Sequence, residues 1–272
     1  MKFTVLGSGS SGNAVLISTD RTNVLVDAGM SAREILRRLA DVGVAAEKLD
    51  GILLTHEHSD HAGGLRVLMG SVDCPVYISR ATEDAFYDTR KGGQNGESES
   101  LKRRAALKDK TVEIESNQEF QIGDIDFEPF SVPHDAVDNF GFVAKKDGVR
   151  IATLMDFGHI SELIKEKLKC CDAIIIESNH SRDMLRACSM YTWDLKQRIM
   201  SRTGHLSNED LYDWLLNDFD GQARHIVLAH LSQRANEPHL ARITAETALQ
   251  MRPPLFKAET TISLSHPKQP TA

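Results

Sequence analysis

Short apolar runs alternate with clusters of polar residues along most of the chain. Runs rich in Val, Ile, Leu and Phe that stop at Gly, Asn or Asp are typical of strands. They predict strands at residues 3–6, 14–18, 23–26, 52–54, 76–79, 112–115, 119–122, 125–130, 140–145, 150–154, 171–177 and 226–228. Between 111 and 154 the strands follow one another closely, with hairpin-like turns such as Lys146-Asp-Gly148. A second sheet is therefore predicted in this part of the chain.

Between the strands, apolar positions recur at helical spacing. Ser31 is a good N-cap, and Ile35 and Leu39 fall on one face before Gly43 ends the helix. Further helices are predicted at 64–69, 81–87, 161–168, 209–216 and 238–249, and residues 181–200 are predicted to be rich in helix. Strands and helices that alternate in this way indicate helices packed on sheets, so the fold class is mixed α/β.

Residues 1–272 are interpreted as one domain. Residues 88–110 have almost no large apolar side chain before Leu101, which predicts a mobile loop. Residues 181–220 are predicted to be a helical segment. The polar residues after 250 are predicted to be a non-catalytic tail.

Composition limits the possible functions. The chain is 41% hydrophobic and 26% charged, as in an ordinary globular protein. A net charge of −7 argues against a protein that coats nucleic acid through its overall charge, although a local basic patch stays possible. Four cysteines without disulfide or zinc-ribbon spacing are interpreted as reduced thiols. With neither a signal-peptide core nor a membrane span, the cytoplasm is the expected compartment.

The sequence Gly7-Ser-Gly-Ser-Ser-Gly12 formally matches G-x-G-x-x-G. The dinucleotide-binding motif needs a helix immediately after it, but here the strand 14–18 follows. A glycine-rich hairpin turn is therefore favoured over a nucleotide site.

Polar residues crowd at the end of the strand 52–54. His56, His58, Asp60 and His61 form the pattern His-x-His-x-Asp-His directly after the apolar run. Imidazoles and carboxylates are ligands of zinc and similar metals, and open α/β sheets bind ligands at the carboxyl ends of strands. The alternative is a polar turn with chance histidines.

This pattern resembles the signature of the metallo-β-lactamase superfamily, and the resemblance extends over essentially the whole chain. Strands ending at Asp27, His56, His134, Asp156 and His230 occur in the family's order. The resemblance implies a four-layer αββα sandwich with a metal site along one edge.

The resemblance also implies a ligand set for two divalent metal ions. One ion is expected on His56, His58, His134 and Asp156, and the second on Asp60, His61, Asp156 and His230, with Asp156 bridging. An aspartate in the place of Asp27 orients the histidine motif without binding metal, although capping of the next turn is the alternative. Imidazole and carboxylate suit zinc, manganese and iron alike. Paired ions can activate a shared hydroxide for displacement at phosphorus.

Further features resemble the phosphodiesterase branches of the family. There a Glu and a His that do not bind the metals act together on the leaving oxygen, and Glu177 and His205 match those positions. The candidate catalytic residues are therefore Glu177, His205 and the ligand Asp60. Replacing Glu177 by Gln is then expected to act more weakly than removing His205. The alternatives are a sheet-end carboxylate and a helix-entry histidine. The bacterial YycJ/WalJ-like group, associated with 5′ to 3′ DNA exonuclease activity, is the closer match through Gly7 to Asn13, Glu177 to His180, Tyr191-Thr-Trp193 and Gly204 to Asp210.

Four classes of function stay open. They are a nucleic-acid phosphodiesterase, a hydrolase of small phosphodiesters, a hydrolase of esters, thioesters or lactones, and a non-catalytic module with structural metal. The first is favoured by a segment that combines aromatic residues with basic ones, since cations neutralise phosphates and rings stack on bases. Its candidate nucleic-acid contacts are Arg182, Arg186, Lys196 and Arg198. DNA is favoured over RNA as the partner, and no membrane partner is expected.

Overall fold

The computed structural model of the chain describes residues 1–88, 96–253 and 259–271. The chain forms two compact units. Unit 1 comprises Met1–Pro129, Ala136–Phe140 and His266–Ala272, and unit 2 comprises Phe130–Asp135 and Gly141–Ser265. The sequence predicted one domain, and each unit is described by itself below.

Unit 1 contains a six-stranded sheet with its strands in chain order. Its strands are β1 (Lys2–Gly7), β2 (Ala14–Ser18), β3 (Asn23–Val26), β4 (Gly51–Leu53), β5 (Val76–Ile78) and β6 (Thr111–Glu113). The first three strands are antiparallel, and β3 to β6 run parallel. The glycine-rich segment after β1 is a hairpin connection to β2, as predicted. Strands β7 (Phe120–Ile122) and β8 (Ile125–Ser131) form a further hairpin, and the last two residues of β8 belong to unit 2.

The helices of unit 1 pack apolar faces into one core. They are α1 (Ala32–Asp41), α2 (Ser59–Ala62), α3 (Leu65–Leu68), α4 (Arg80–Tyr87) and α5 (Gly96–Leu107), with a 3₁₀ turn at Ala46–Lys48. Ser31 accepts a hydrogen bond from the Glu34 backbone N–H, which confirms the predicted N-cap of α1. Ile35 and Leu39 are fully buried in the core that also contains Leu25 and Ile52.

Helix α5 occupies much of the segment that the sequence predicted to be a loop. Residues 96–107 are helical, whereas residues 89–95 of the predicted loop lie outside the described residues. The guanidinium of Arg103 lies over the Phe86 ring and donates to its carbonyl oxygen, while Arg104 lies over Tyr87. Contacts of two arginine guanidinium groups with aromatic rings therefore join α5 to α4 where the sequence offers few apolar residues, which composition alone could not predict.

Unit 2 contains β9 (Phe140–Lys146), whose first residue belongs to unit 1, followed by β10 (Val149–Leu154), β11 (Ala173–Glu177), β12 (His225–Ala229) and β13 (Thr261–Leu264). β9 and β10 are antiparallel, and β10 to β13 run parallel. All five residues of β11 are buried, as expected for an inner strand rich in isoleucine. The sequence missed β13, because it lies in a polar segment.

The helices of unit 2 are α6 (Glu162–Leu168), α7 (Arg182–Ala187), α8 (Trp193–Ile199), α9 (Asn208–Asn217) and α10 (Pro238–Met251). Helices α7 to α9 lie in the segment 181–220. Leu211 and Ala245 pack with Ile174 and Ile226 in the core of this unit. Each unit thus joins a largely parallel run of strands to helices, which agrees with the predicted mixed α/β class. In the part of the chain that is described, no helix has the length and apolarity needed to cross a membrane.

Candidate metal centre

The predicted ligands are divided between the two units. His56, His58, Asp60 and His61 belong to unit 1, whereas His134, Asp156 and His230 belong to unit 2. Every one of them follows a strand or lies at the start of the helix after it.

In unit 1 the three histidines of the motif face one another. The ring of His56 lies 4.2 Å from that of His61 and 4.7 Å from that of His58, between centroids. His56 and His61 are buried, while His58 and Asp60 are partly exposed. The motif thus offers several imidazoles within a small volume, as a metal site requires.

Asp27 orients two of these histidines. It is fully buried, and its backbone has the left-handed conformation, with φ of 65°. Its Oδ2 lies 2.7 Å from Nδ1 of His61. Its Oδ1 accepts from the backbone N–H and the hydroxyl of Thr55, and Thr55 Oγ1 lies 2.9 Å from Nδ1 of His56. Since the hydroxyl hydrogen points to Asp27, Nδ1–H of His56 donates to Thr55. Both rings therefore keep the lone pair on Nε2, the arrangement found in metal-binding histidines.

Asn13 is a supporting residue that sequence reasoning did not assign to the site. Its side-chain amide nitrogen lies 3.0 Å from Nε2 of His61 and 3.2 Å from the carbonyl oxygen of Asp60. Its own Oδ1 accepts from the Ser8 hydroxyl and the Gly9 backbone N–H. The glycine- and serine-rich turn therefore fixes an amide against the histidine motif. The sequence feature that could have indicated this role is the position of Asn13, which ends a turn immediately before the buried strand β2.

In unit 2 two carboxylates and three histidines converge. Ligand atoms of Asp156, Glu177, His205 and His230 all lie within 4.8 Å of one another. Asp156 Oδ1 lies 2.5 Å from Nδ1 of His230, and Asp156 Oδ2 lies 3.8 Å from Nε2 of His134. Asp156 and His230 both have left-handed backbones, with φ of 57° and 52°. Such conformations are uncommon outside glycine and concentrate at functional sites.

The tautomer of His134 is set by the backbone. Its Nδ1 lies 3.2 Å from the carbonyl oxygen of Gly204, which can only accept, so Nδ1 carries the hydrogen and Nε2 the lone pair. The donor set and these tautomers fit divalent metal ions in both units.

Glu177 links two histidines to two backbone groups. Its Oε1 lies 2.8 Å from Nδ1 of both His205 and His230. Its Oε2 accepts from the backbone N–H groups of Phe157 and Leu206 at 3.0 and 3.1 Å. Burial alone would raise the pKa of Glu177, but the charge of His205 and the hydrogen bonds from both histidines lower it to about 2. Glu177 is therefore an ionised acceptor.

His205 and His180 both lie near Glu177, but their pKa values shift in opposite directions; His205 is partly exposed, whereas His180 is buried. Burial would lower the pKa of His205, but the carboxylate of Glu177 outweighs burial and raises it. Burial dominates at His180 and lowers its pKa to about 4. Of these two, His205 is the one suited to carry and donate a proton near neutral pH.

The predicted nucleic-acid contacts are already engaged within unit 2. Arg182 pairs with Asp210, Arg186 with Asp183, and Arg198 with Asp135. Lys196 is buried, and its Nζ donates to the carbonyl oxygen of Arg186 at 2.7 Å, so it ties α8 to the end of α7. The structure thus gives Lys196 a structural task.

Comparisons with known proteins show to which family the chain is similar. The profile of the beta-lactamase superfamily domain matches residues 22–231. The chain is 37% identical over 243 residues to exodeoxyribonuclease WalJ of Streptococcus pneumoniae, covering 89% of this chain and 86% of the relative. It is 35% identical over 252 residues to exodeoxyribonuclease YycJ of Bacillus anthracis, covering 92% and 89%.

Two solved structures share the fold at low sequence identity. The metallo-β-lactamase fold protein YhfI from Bacillus subtilis has a TM-score of 0.71 at 18% identity, covering 99% of this chain and 98% of YhfI. Zinc-bound PqqB from Methylobacterium extorquens has a TM-score of 0.72 at 15% identity, with both chains fully covered. At this identity the likeness concerns the fold alone, which confirms the predicted fold.

Proposed function

Because this chain belongs to the beta-lactamase superfamily and is a metal-dependent hydrolase, we propose a specific activity for it. We propose that it is an exonuclease that cleaves phosphodiester bonds of DNA from the 5′ end. The observation that carries this proposal is the Glu177–His205 pair beside Asp156 and His230. Breaking a P–O bond leaves an alkoxide that needs a proton, and a carboxylate-held imidazole can donate it. Relatives named as exodeoxyribonucleases support DNA as the substrate.

We further propose the ligand assignment of the family resemblance for this chain. One divalent ion is assigned to His56, His58, His134 and Asp156, and a second to Asp60, His61, Asp156 and His230. The ions, when bound, supply Lewis acidity and lower the pKa of water. Zinc or manganese fits the imidazole and carboxylate donors, and iron is the further candidate.

The remaining side chains have roles that follow from their contacts. Asp27 orients His61 directly and His56 through Thr55, and Asn13 donates to the backbone carbonyl oxygen of Asp60. Glu177 binds Nδ1 of His205 and thereby orients the imidazole. Nε2 of His205 can then donate a proton to the leaving oxygen.

The surface around α8 supports a nucleic-acid substrate. Trp193 is 61% exposed, whereas Trp214 is 4% exposed and lies in the core. α8 is fixed at two points, by Lys196 to α7 and by Arg198 to Asp135, the residue after His134. An exposed indole on a helix anchored beside a ligand can stack on a base of the strand.

Changing Trp193 to Ala tests this surface. We expect single-stranded DNA to bind about five- to a hundredfold more weakly, since one stacked base contributes ~1–3 kcal/mol, while a small aryl phosphodiester is hydrolysed at the wild-type rate. Met190→Ala, which removes another exposed apolar side chain, is the control and should change binding much less. Equal losses in the two variants, or none in Trp193→Ala, would exclude stacking at this position.

Activity on labelled substrates tests the proposed function itself. Metal-loaded protein is incubated with DNA and RNA labelled at either end, beside a cyclic phosphodiester and a thioester. We expect mononucleotides released progressively from the 5′ end of DNA. Hydrolysis of the thioester alone would refute the proposal, and hydrolysis of only the cyclic diester would indicate the small-molecule alternative.

We also propose that the enzyme works in the cytoplasm, because all four cysteines are free thiols. Burial raises the pKa of Cys74 and of Cys171 to about 11, which keeps both thiols protonated and unreactive.

A further inference from the structure

His159 and Arg202 form a paired contact that the proposed mechanism does not use. Nδ1 of His159 lies 2.9 Å from the carbonyl oxygen of Arg202, and Nε2 lies 2.8 Å from the Nη2 atom of the same arginine. A carbonyl oxygen only accepts and a guanidinium only donates. The ring is therefore neutral, with its hydrogen on Nδ1, and Nε2 accepts from Arg202. One imidazole thus fixes both the backbone and the guanidinium of Arg202.

The pair is built into the two segments that carry Asp156 and His205. His159 follows Asp156 by three residues, and Arg202 precedes His205 by three, so each Cα lies within ~11 Å of its site neighbour. The segments touch at Gly158, where a Cβ would lie 2.3 Å from the carbonyl oxygen of Ser201. Only glycine permits this approach. The pair therefore has a defined position beside the proton donor.

The charge of Arg202 distinguishes it from the neighbouring arginines. Arg182, Arg186 and Arg198 each have a carboxylate partner. Within the described ranges the guanidinium of Arg202 contacts His159 and no carboxylate. Because His159 is neutral, it orients the guanidinium without cancelling its charge. A positioned, exposed and uncompensated guanidinium suits an oxyanion, and phosphate matches its forked donors.

We propose that Arg202 binds a non-bridging oxygen of a DNA backbone phosphate next to the scissile one, and that His159 is its positioning residue. This assignment rests on the proposed nuclease function. It gives the segment 201–206 two tasks, since Arg202 holds the strand and His205 serves the leaving oxygen. The competing interpretation is that the pair only ties the segments 156–159 and 201–206 together.

Binding of single-stranded DNA to full-length protein separates these interpretations. Every protein carries Asp156→Asn to prevent cleavage, and affinity is measured against salt concentration. Arg202→Gln is expected to weaken binding roughly three- to tenfold at low salt and to reduce the slope of log affinity against log salt by ~0.7, the value for one phosphate contact on a single strand. Arg242→Gln, which removes an exposed arginine paired with Glu246 on α10, should change neither quantity.

Oligonucleotides with one uncharged methylphosphonate at successive linkages locate the contact. With the methylphosphonate at the contacted linkage, the Asp156→Asn protein that keeps Arg202 should bind DNA no more tightly than the Arg202→Gln variant. With the methylphosphonate at any other linkage, it should still bind more tightly.

His159→Ala should weaken DNA binding with little change in the salt slope, because the charge of Arg202 remains. His159→Asn should restore binding, since its amide can both donate and accept. An advantage that persists at every linkage, or an unchanged slope, would refute the phosphate contact. The nuclease assignment is tested separately, by assaying DNA cleavage with the wild-type protein, which keeps Asp156. If the wild type cleaves DNA, the nuclease assignment stands even when the phosphate contact is refuted. If the wild type does not cleave DNA, the nuclease assignment itself is refuted.

Discussion

Asp156→Asn is expected to lower hydrolysis of DNA and of an aryl phosphodiester alike, by at least ~10³-fold. Asp156 is buried, touches Nδ1 of His230 and lies within 3.8 Å of Nε2 of His134. In the proposed ligand set it is shared by both ions, so an amide there removes charge from both. Metal content, measured by elemental analysis after gel filtration, should fall below that of the wild type.

Asparagine is the appropriate replacement because Asp156 has a left-handed backbone, which Asn tolerates better than Ala. Asp147→Asn is the matched control, since Asp147 is also left-handed, with φ of 49°, but lies in the exposed turn between β9 and β10. This control should retain activity and metal. Full metal content in Asp156→Asn, combined with substantial activity, would contradict the bridging assignment.

The sequence could assign the candidate ligands to strand ends because strand ends can be recognised from apolar runs. The runs before Asp27, His56 and Asp156 stop abruptly at a polar residue, and in the structure each of these residues lies at most three positions beyond the last residue of a strand. The left-handed backbones of Asp27, Asp156 and His230 were not predictable, because nothing in an Asp or His at a strand end requires positive φ. Tertiary contacts impose those conformations.

Contacts between distant segments account for the rest of what sequence reasoning missed. Asn13 acts through His61 and Asp60, which lie far away in the chain. Lys196 was interpreted as a phosphate contact because other basic residues lie near it in the sequence. In the structure its ammonium group donates a hydrogen bond to the carbonyl oxygen of Arg186 in the last turn of α7. Composition indicates that a segment is charged, whereas only the fold shows which charges are already compensated.

His205→Ala is the second prediction with a large expected effect. Removing the proton donor should lower DNA hydrolysis by ~10²- to 10⁴-fold, because the departing alkoxide must then be released without general-acid help. An aryl phosphodiester has a good leaving group and should lose much less. Metal content should stay at the wild-type level. Loss of metal would mean that His205 is a ligand, and equal losses on both substrates would mean that it stabilises the phosphoryl oxygens.

Glu177→Gln then shows whether Glu177 orients both the proposed proton donor, His205, and the proposed metal ligand, His230. The sequence suggested a weaker effect than that of His205→Ala, with Glu177 serving His205 alone. In the structure its two oxygens accept four N–H groups, from His205, His230, Phe157 and Leu206. A glutamine has one acceptor oxygen, so its NH₂ must face two of these donors in a fully buried position. Either the two imidazoles or the two backbone groups then lose their partner.

We therefore expect Glu177→Gln to weaken metal binding by ~10- to 100-fold, as seen when the hydrogen-bond partner of a ligand histidine is removed. It should also reduce hydrolysis of both DNA and the aryl diester, unlike His205→Ala. The control is Glu209→Gln, because Glu209 likewise accepts a backbone N–H, from Arg182, but contacts neither histidine. Metal titration of the three variants decides the issue: a Glu177→Gln protein that binds metal as the wild type does would restrict Glu177 to orienting His205.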